Sequence, residues 1–331
     1  MLSDLGDIAG ISLLVRSYPA EVVDAAIASC GRTEQRRRLL SARLMVYFVL
    51  AMALFSPAPY LDVMHRLTAG LRWGGLWDGE RIPSKASIFQ ARERLGSGPL
   101  EALFRAVVRP LATLDSPDAH WRGRRLLLLR EQQVELPDGA GHPPRLLFSG
   151  LLETGTGAVL DATWAEGEST RTLLRSTGPD TLLVLDQVPT DPALLADAAA
   201  RDAPLLWRLR PARVPFQVQQ RLPDGSFLTR LHGRTVRVIA PDAVTTLLNP
   251  AEAPAAELLD TLTRGAGGGE ALLSALFGTT HDTGPLTSRT ADGIHQEVYG
   301  RLLVHFAMRQ SLQYARSAGE PQGSLPMPEL A

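Results

Sequence analysis

Gly123-Arg124-Arg125-Leu126-Leu127-Leu128-Leu129-Arg130 and, farther along, Leu182-Leu183-Val184-Leu185-Asp186 are the two stretches on which the fold turns. Each is a short run of large aliphatic residues without polar alternation, the pattern of a strand buried on both faces. Each ends on a polar residue. The first ends on Arg130 followed by Glu131, the second on Asp186, so only the second offers a carboxylate directly at the end of the apolar run.

Strand signals surround this pair. Arg145 to Leu152, Ala158 to Trp164 and Leu205 to Leu209 read as further strands, with a turn at Gly155. Phe216 to Leu222 and Ser226 to Leu231 flank Pro223-Asp224-Gly225, a hairpin turn, and Thr235 to Ile239 and Val244 to Leu248 complete a small sheet. Thr170 to Arg175 and Pro192 to Arg201 read as helical. From Ala255 onward the chain is mainly helical, with a break expected at the glycines Gly265 to Gly269.

Before residue 115 the periodicity is helical throughout. Val22 to Ala28, Leu39 to Phe55 and Tyr60 to Leu67 have apolar residues at helix spacing, the last ending near Gly70. Pro83-Ser84-Lys85 opens another helix, capped by Ser84 and closed before Gly96, and Pro99 starts one more. Asp115-Ser116-Pro117-Asp118 reads as a linker. The domains expected are 1–115 (helical), 120–312 (mixed, with a β-rich insertion at about 205–250) and a loose tail at 313–331.

Composition narrows the function. The chain has 331 residues, 45% hydrophobic and 21% charged, with a net charge of -1, values ordinary for a globular protein with a full core. The charge is unevenly spread: residues 1–130 hold 18 basic against 12 acidic side chains, the remainder 16 against 23. A basic first third suits a polyanionic partner, although a merely solvated basic face has the same composition. Lys85 is the only lysine. The single cysteine, Cys30, excludes an internal disulfide and a cysteine-based zinc cluster, and points to a reducing, cytoplasmic compartment. The apolar run Leu44 to Phe55 is too short to span a bilayer and no stretch has signal-peptide form, so no membrane partner is expected. The histidines show no metal-ligand spacing, no nucleophile-elbow motif is present, and Gly267-Gly268-Gly269-Glu270 lacks the Lys-Ser/Thr of a phosphate loop.

Two longer segments carry a family resemblance. One runs from Arg38-Leu39-Leu40-Ser41-Ala42-Arg43 through Phe55, then Gly70-Leu71-Arg72-Trp73 and Pro83-Ser84-Lys85 to Gln90-Ala91-Arg92-Glu93-Arg94-Leu95-Gly96. The other is Thr290-Ala291-Asp292-Gly293-Ile294-His295-Gln296-Glu297-Val298-Tyr299-Gly300-Arg301-Leu302-Leu303-Val304-His305. With lesser landmarks at Gly157 to Ala162, Leu205 to Arg208 and Leu222 to Ser226, they closely resemble IS4-family DDE transposases over roughly residues 10–312. The resemblance implies the fold class α+β / α/β, an N-terminal all-α DNA-binding domain followed by an RNase H-like core with a β-rich insertion. It also implies two Asp and one Glu holding two Mg²⁺ ions, which activate a nucleophile and steady the leaving oxygen.

Carried over residue by residue, the family's first Asp falls at Arg130, its second at Asp186 and its Glu at Gly269. The other positions of the Glu-bearing signature correspond to Leu262, Gly265 and Leu276. Only Asp186 keeps its ligand. Glu131 and Glu270 each lie one residue off, on the opposite strand face and about 100° around the helix respectively. The Arg130 guanidinium is expected to pair with Asp186, replacing metal with a salt bridge.

The resemblance also points to DNA-binding residues. On the helix after Pro83, Ile88, Ala91 and Leu95 form the buried face, while Lys85, Phe89 and Arg92 share another, with Gln90 and Arg94 on its flanks. Arg, Lys and Gln are the side chains that grip phosphate and read base edges. The helix Tyr60 to Leu67 would support it, in the manner of a helix-turn-helix pair. Arg36, Arg37, Arg38 and Arg43, with Arg32, make the densest basic patch. Arg122, Arg124 and Arg125 read as a charged strand entry, and Trp73 and Trp77 as packing residues.

The expectation is a transposase-derived, nucleoid-associated, homo-oligomeric protein that binds double-stranded DNA without a cofactor, a pseudoenzyme repurposed for regulation. Two alternatives remain: an active transposase using Mg²⁺ with Glu131, Asp186 and Glu270, and a structural or protein-interaction module on a dead core.

Overall fold

Runs of helix-spaced apolar residues before residue 109 and strand-like runs after it produce two kinds of layer. The computed structural model describes residues 2–34, 36, 38–77, 82–138, 142–164, 170–185, 192–209, 216–239, 243–277 and 284–318, without the side chains of 2–4, 266–268, 270 and 271. Six helices come first: α1 (Leu2–Ser17), α2 (Ala20–Ser29), α3 (Ala42–Leu54), α4 (Tyr60–Trp73), α5 (Lys85–Leu95) and α6 (Gly98–Val107). The strands β1 (His120–Trp121), β2 (Arg124–Glu135), β3 (Arg145–Glu153), β4 (Val159–Thr163) and β5 (Thr181–Leu185) follow, with a 3₁₀ helix at Thr170–Ser176. Then come α7 (Pro192–Ala200), β6 (Leu205–Arg208), β7 (Gln220–Arg221), β8 (Phe227–Leu231), β9 (Arg234–Ile239) and β10 (Ala243–Thr245). Two long helices, α8 (Ala255–Phe277) and α9 (Ala291–Ser317), complete the described chain. These elements fall into two compact units: Met1–Arg109 with Val134–Leu146 and Ser274–Ala331, and Pro110–Gln133 with Leu147–Leu273.

In the first unit α3 is the hub. Every residue from Leu44 to Ala51 is buried, as expected of a helix that is apolar all round. Its start is fixed by Ser41, whose hydroxyl accepts from the Leu44 amide at 3.3 Å. α4, α5, α9, α1 and α2 surround it. The Tyr47 hydroxyl donates to the Tyr18 carbonyl at 2.6 Å, and burial pushes its pKa up to about 12. α4 does not end near Gly70 but runs through it to Trp73. A Cβ at 70 would lie 2.7 Å from that of Ile11, so this glycine admits α1 rather than stopping α4. The last helix, α9, packs on α3 and α6 and so groups with this unit.

The second unit is built on one sheet, ordered β4-β3-β2-β5-β6-β10-β9-β8-β7, with β1 beside β2. β2, β5 and β6 are parallel neighbours, with Leu129 opposite Leu185 and Leu185 opposite Trp207. The pairings β6–β10, β10–β9, β9–β8, β8–β7 and β3–β4 are antiparallel. The strands between 205 and 250, where a β-rich insertion was expected, extend the main sheet beyond β5. On one face, Leu127, Leu129, Leu183 and Leu185 pack with Leu173 and Leu174 of the 3₁₀ helix and Leu194, Leu195 and Ala198 of α7. Each such leucine contributes about 1.5–3 kcal/mol by leaving water. The other face, with Leu128 and Val184, meets α8. α8 is continuous where a break at Gly265 to Gly269 was expected; its contact with the sheet outweighs the low helix propensity of glycine.

At the antiparallel end Arg237 is fully buried, donating Nε to Ser226 at 2.8 Å and Nη1 to the Ala253 carbonyl at 2.6 Å, and pairing with Asp224. Burial works to raise the Asp224 pKa, but hydrogen bonds from Ser226 and the Arg237 charge outweigh it and hold it below its ordinary value. A depressed carboxylate stabilises the fold above its unfolded pKa and loses that contribution as pH falls through the folded value. Asp224→Asn should therefore lower unfolding stability by about 1–3 kcal/mol at neutral pH. In urea melts across pH, the gap from the unaltered protein should close below the ordinary Asp pKa of about 3.9.

Candidate functional site

The positions at which the family resemblance sets its carboxylates come together only in part. β2 and β5 lie side by side in parallel register through Leu129 and Leu185. Arg130 is the next residue of β2 and is half-buried. α8 crosses this end of the sheet with Gly269 inward: a Cβ there would stand 2.4 Å from Leu128 Cδ2 and 3.3 Å from Arg130 Cδ. Positions 130 and 269 are thus neighbours although far apart in sequence. Gly265, one turn earlier, faces Val184, while Leu262 and Leu276 are buried packing residues. Asp186 and the Glu270 side chain lie outside the described residues, so the expected Arg130–Asp186 pair does too.

Chemically, neither neighbour suits a hard divalent cation. A guanidinium supplies only donors and a permanent positive charge, and glycine supplies no side chain. Arg130 and Gly269 do not fit the two-metal site that the family implies. Glu131 is turned elsewhere: its Oε1 accepts from Thr170 Oγ1 at 2.7 Å and Ser149 Oγ at 3.4 Å. Among the described residues, no three His, Cys, Asp or Glu side chains gather as a metal site.

α5, the expected reader helix, is bounded as its sequence indicates. Ser84 Oγ accepts from the Ser87 amide at 3.2 Å, and Gly96 ends the helix at φ 66°. Ile88, Ala91 and Leu95 are buried, while Lys85, Gln90 and Arg94 are exposed and Phe89 is 48% exposed. Arg92 departs from expectation: it is 5% exposed. Its Nε donates to Gln296 Oε1 at 2.9 Å and Nη2 to Ser288 Oγ at 3.2 Å, and Nη1 donates to the Tyr60 hydroxyl. Gln296 returns its amide to the carbonyls of Arg92 and Gly96, both at 2.9 Å. Arg92 ties α5 to α9 and α4 and is withdrawn from any ligand. Helix spacing put it beside Lys85 and Phe89, but the wide buried stripe of α5 reaches it. The role of Tyr60 and Ser288 in holding it had no sequence signal, because their partners are distant in the chain.

In the basic segment before α3, the described residues 31–34, 36 and 38–41 are not helical. Arg36 and Arg38 are exposed, with Arg38 3.7 Å from Glu34; Arg37 lies outside the described residues. Arg43 is held by Asp24, with Nε 2.7 Å from Oδ1, and that hydrogen bond raises its pKa further. Much of its charge is thereby neutralised. Arg32 donates to the Arg94 carbonyl at 3.1 Å, and Arg94 to the Leu40 carbonyl at 3.4 Å. The Arg-rich segment and the end of α5 therefore form one basic surface, a juxtaposition no local spacing announced. Arg122, Arg124 and Arg125 are engaged within the second unit, with Glu257, the Pro179 carbonyl and Glu153 respectively. Trp73, expected to pack, is 62% exposed.

Comparison with known proteins places this geometry. A solved structure of the piggyBac transposase, a synaptic complex with hairpin DNA, superposes with a TM-score of 0.52 at 12% identity, covering 95% of this chain and 77% of that one. The fold is that of the RNase H-like transposases. The family profile for the insertion element 4 transposase N-terminal region matches residues 9–105. The transposase InsG of insertion sequence element IS4 from Escherichia coli (strain K12) is 26% identical over 188 residues, 50% of this chain. A protein of the same strain named as a putative transposase, InsZ, is 25% identical over 129 residues, 38% of this chain. By these matches the chain resembles the IS4 transposases, most specifically in the N-terminal region that the family profile matches. The aligned segments span 41% and 40% of those two relatives, well under their full lengths. Among the described residues no helix is long and apolar enough to cross a membrane.

Two of the three cations of α5, Arg92 and Lys85, should respond very differently to truncation. Arg92→Ala leaves buried partners unsatisfied and should cost about 3 kcal/mol or more. Lys85→Ala should stay within about 0.5 kcal/mol. Urea unfolding of both variants checks this, and comparable losses would contradict the assigned positions.

Proposed function

We propose that this protein is a transposase-derived binder of double-stranded DNA that does not cut it. The observation that carries the reading is Arg130 set against Gly269, where family resemblance expects two of the three carboxylates. A cation and a bare backbone at these positions cannot gather two Mg²⁺ ions around a phosphodiester. Binding needs no such site. Lys85, Gln90 and Arg94 stand exposed on a capped helix whose Arg94 carbonyl is met by Arg32, and Arg36 and Arg38 are exposed in the segment after Arg32. This set combines phosphate-gripping cations with an amide able to read adenine. The piggyBac transposase was solved in complex with hairpin DNA, which supports DNA as the ligand class by analogy of fold. Binding as a homo-oligomer, association with the nucleoid and a regulatory or repurposed role belong to the same reading.

The test is recovery and sequencing of genomic fragments held by the purified protein at physiological salt, beside a Lys85→Ala/Arg94→Ala variant. A recovered motif that weakens or disappears in the variant is the expected result. The salt dependence of binding should flatten by about one unit of slope for each cation that no longer grips a phosphate, about two in all. Supercoiled plasmid carrying the recovered site should stay intact in Mg²⁺ or Mn²⁺. Metal-dependent nicking would overturn the non-cutting half of the proposal, and equal recovery by both proteins would overturn the assigned surface.

A further inference from the structure

We infer that Gly269 serves as a contact residue between α8 and β2, with Leu128 filling the space that a metal-binding side chain at 269 would need. The site is thus closed by packing and not only by loss of ligands. This goes beyond the proposed function, since it rests on the second unit alone and holds whether or not the chain binds DNA. A Cβ at 269 would sit 2.4 Å from Leu128 Cδ2 and 3.3 Å from Arg130 Cδ. Leu128 is 2% exposed and opposite Val184, which is fully buried. To admit a Cβ the tip of the Leu128 side chain must shift within a buried layer, and overpacking of a dense interior is penalised.

Gly265 provides the internal contrast. It lies on the same helix, one turn away, yet a Cβ there would meet its nearest atoms, Val184 Cγ1 and Thr154 Cγ2, at 3.7 and 3.9 Å. That is ordinary contact, and alanine is the better helix former. Two glycines that look alike in sequence therefore have opposite expectations. The rebuilt site involves three residues: Leu128, Arg130 and Gly269. Restoring carboxylates at 130 and 269 alone leaves the new glutamate blocked at its first carbon.

Thermal unfolding of Gly265→Ala, Gly269→Ala, Leu128→Ala and Leu128→Ala/Gly269→Ala tests the packing. Gly269→Ala should lower the midpoint by about 3–8 °C, and Gly265→Ala should leave it level or raise it. The Gly269→Ala loss should shrink by at least half in the Leu128→Ala background. A Gly269→Ala midpoint equal to that of the unaltered protein, or a loss of the same size in both backgrounds, would overturn the inference. Arg130→Asp/Gly269→Glu, titrated with Mn²⁺ and followed by electron paramagnetic resonance, should acquire no saturable site. A folded double variant with such a site would overturn it as well. If that variant does not fold, the alanine comparison decides.

Discussion

Parallel pairing of Leu126–Leu129 with Leu182–Leu185 is the constraint from which the second unit follows. Neither strand has a polar side chain within these runs, so both faces of the pair must be kept from water. The 3₁₀ helix and α7 cover the face of Leu127, Leu129, Leu183 and Leu185. The face of Leu128 and Val184 is left to α8, and its glycines let the helix backbone descend to side-chain contact distance. The antiparallel strands β7 to β10 then extend the sheet beyond β6, secured where Arg237 is buried with Asp224 and Ser226.

The first unit answers a similar demand with helices. α3 has no polar face to give to solvent along Leu44 to Ala51, and a helix of that kind is stable only when surrounded. Arg92 and Glu297, two charged groups buried in the process, are both hydrogen-bonded. Arg92 is bound by Gln296, Ser288 and Tyr60, and Glu297 accepts from the Thr287 amide at 2.8 Å and its hydroxyl at 2.9 Å. Satisfaction of this kind is the condition under which buried polar networks specify a fold rather than weaken it.

Period and punctuation made much of this legible. The strands Leu126–Leu129 and Leu182–Leu185, the Ser84 cap, the Gly96 stop and the Pro223-Asp224-Gly225 hairpin are local features whose signals lie within a few residues. What escaped was non-local. Gly265 to Gly269 reads as a break unless the sheet beneath it is known, and Gly70 reads as a helix end unless Ile11 is known to approach. Arg92 carries the same charge as Arg94, and only the position of Gln296 separates a buried tie from a surface cation. The alternation that puts Glu131 on the face away from Arg130 was readable, because it is set by the pleat alone. The closeness of positions 130 and 269 was reachable only through family resemblance, since no periodicity links a strand end to a helix so far along the chain.

The pattern of what is kept and what is absent has a physical logic. Three carboxylates crowded at the end of a sheet repel one another whenever metal is missing, and each disfavours ionisation of the next. Such a site is held against the stability of the apo fold, the usual trade between activity and stability. Arg130 and Gly269, at two positions where the family resemblance sets carboxylates, bring no such repulsion. Gly269 also lets α8 settle on Leu128 with no side chain between them. The Arg92–Gln296 tie stands in the opposite relation to stability, because losing either partner strands buried donors and acceptors. A transposase core released from cutting would therefore drift toward better packing at the metal positions while its buried polar ties stayed fixed. Arg130 against Gly269 in one unit is a packing contact that a side chain would disturb, and Arg92 in the other is a polar tie that a truncation would break.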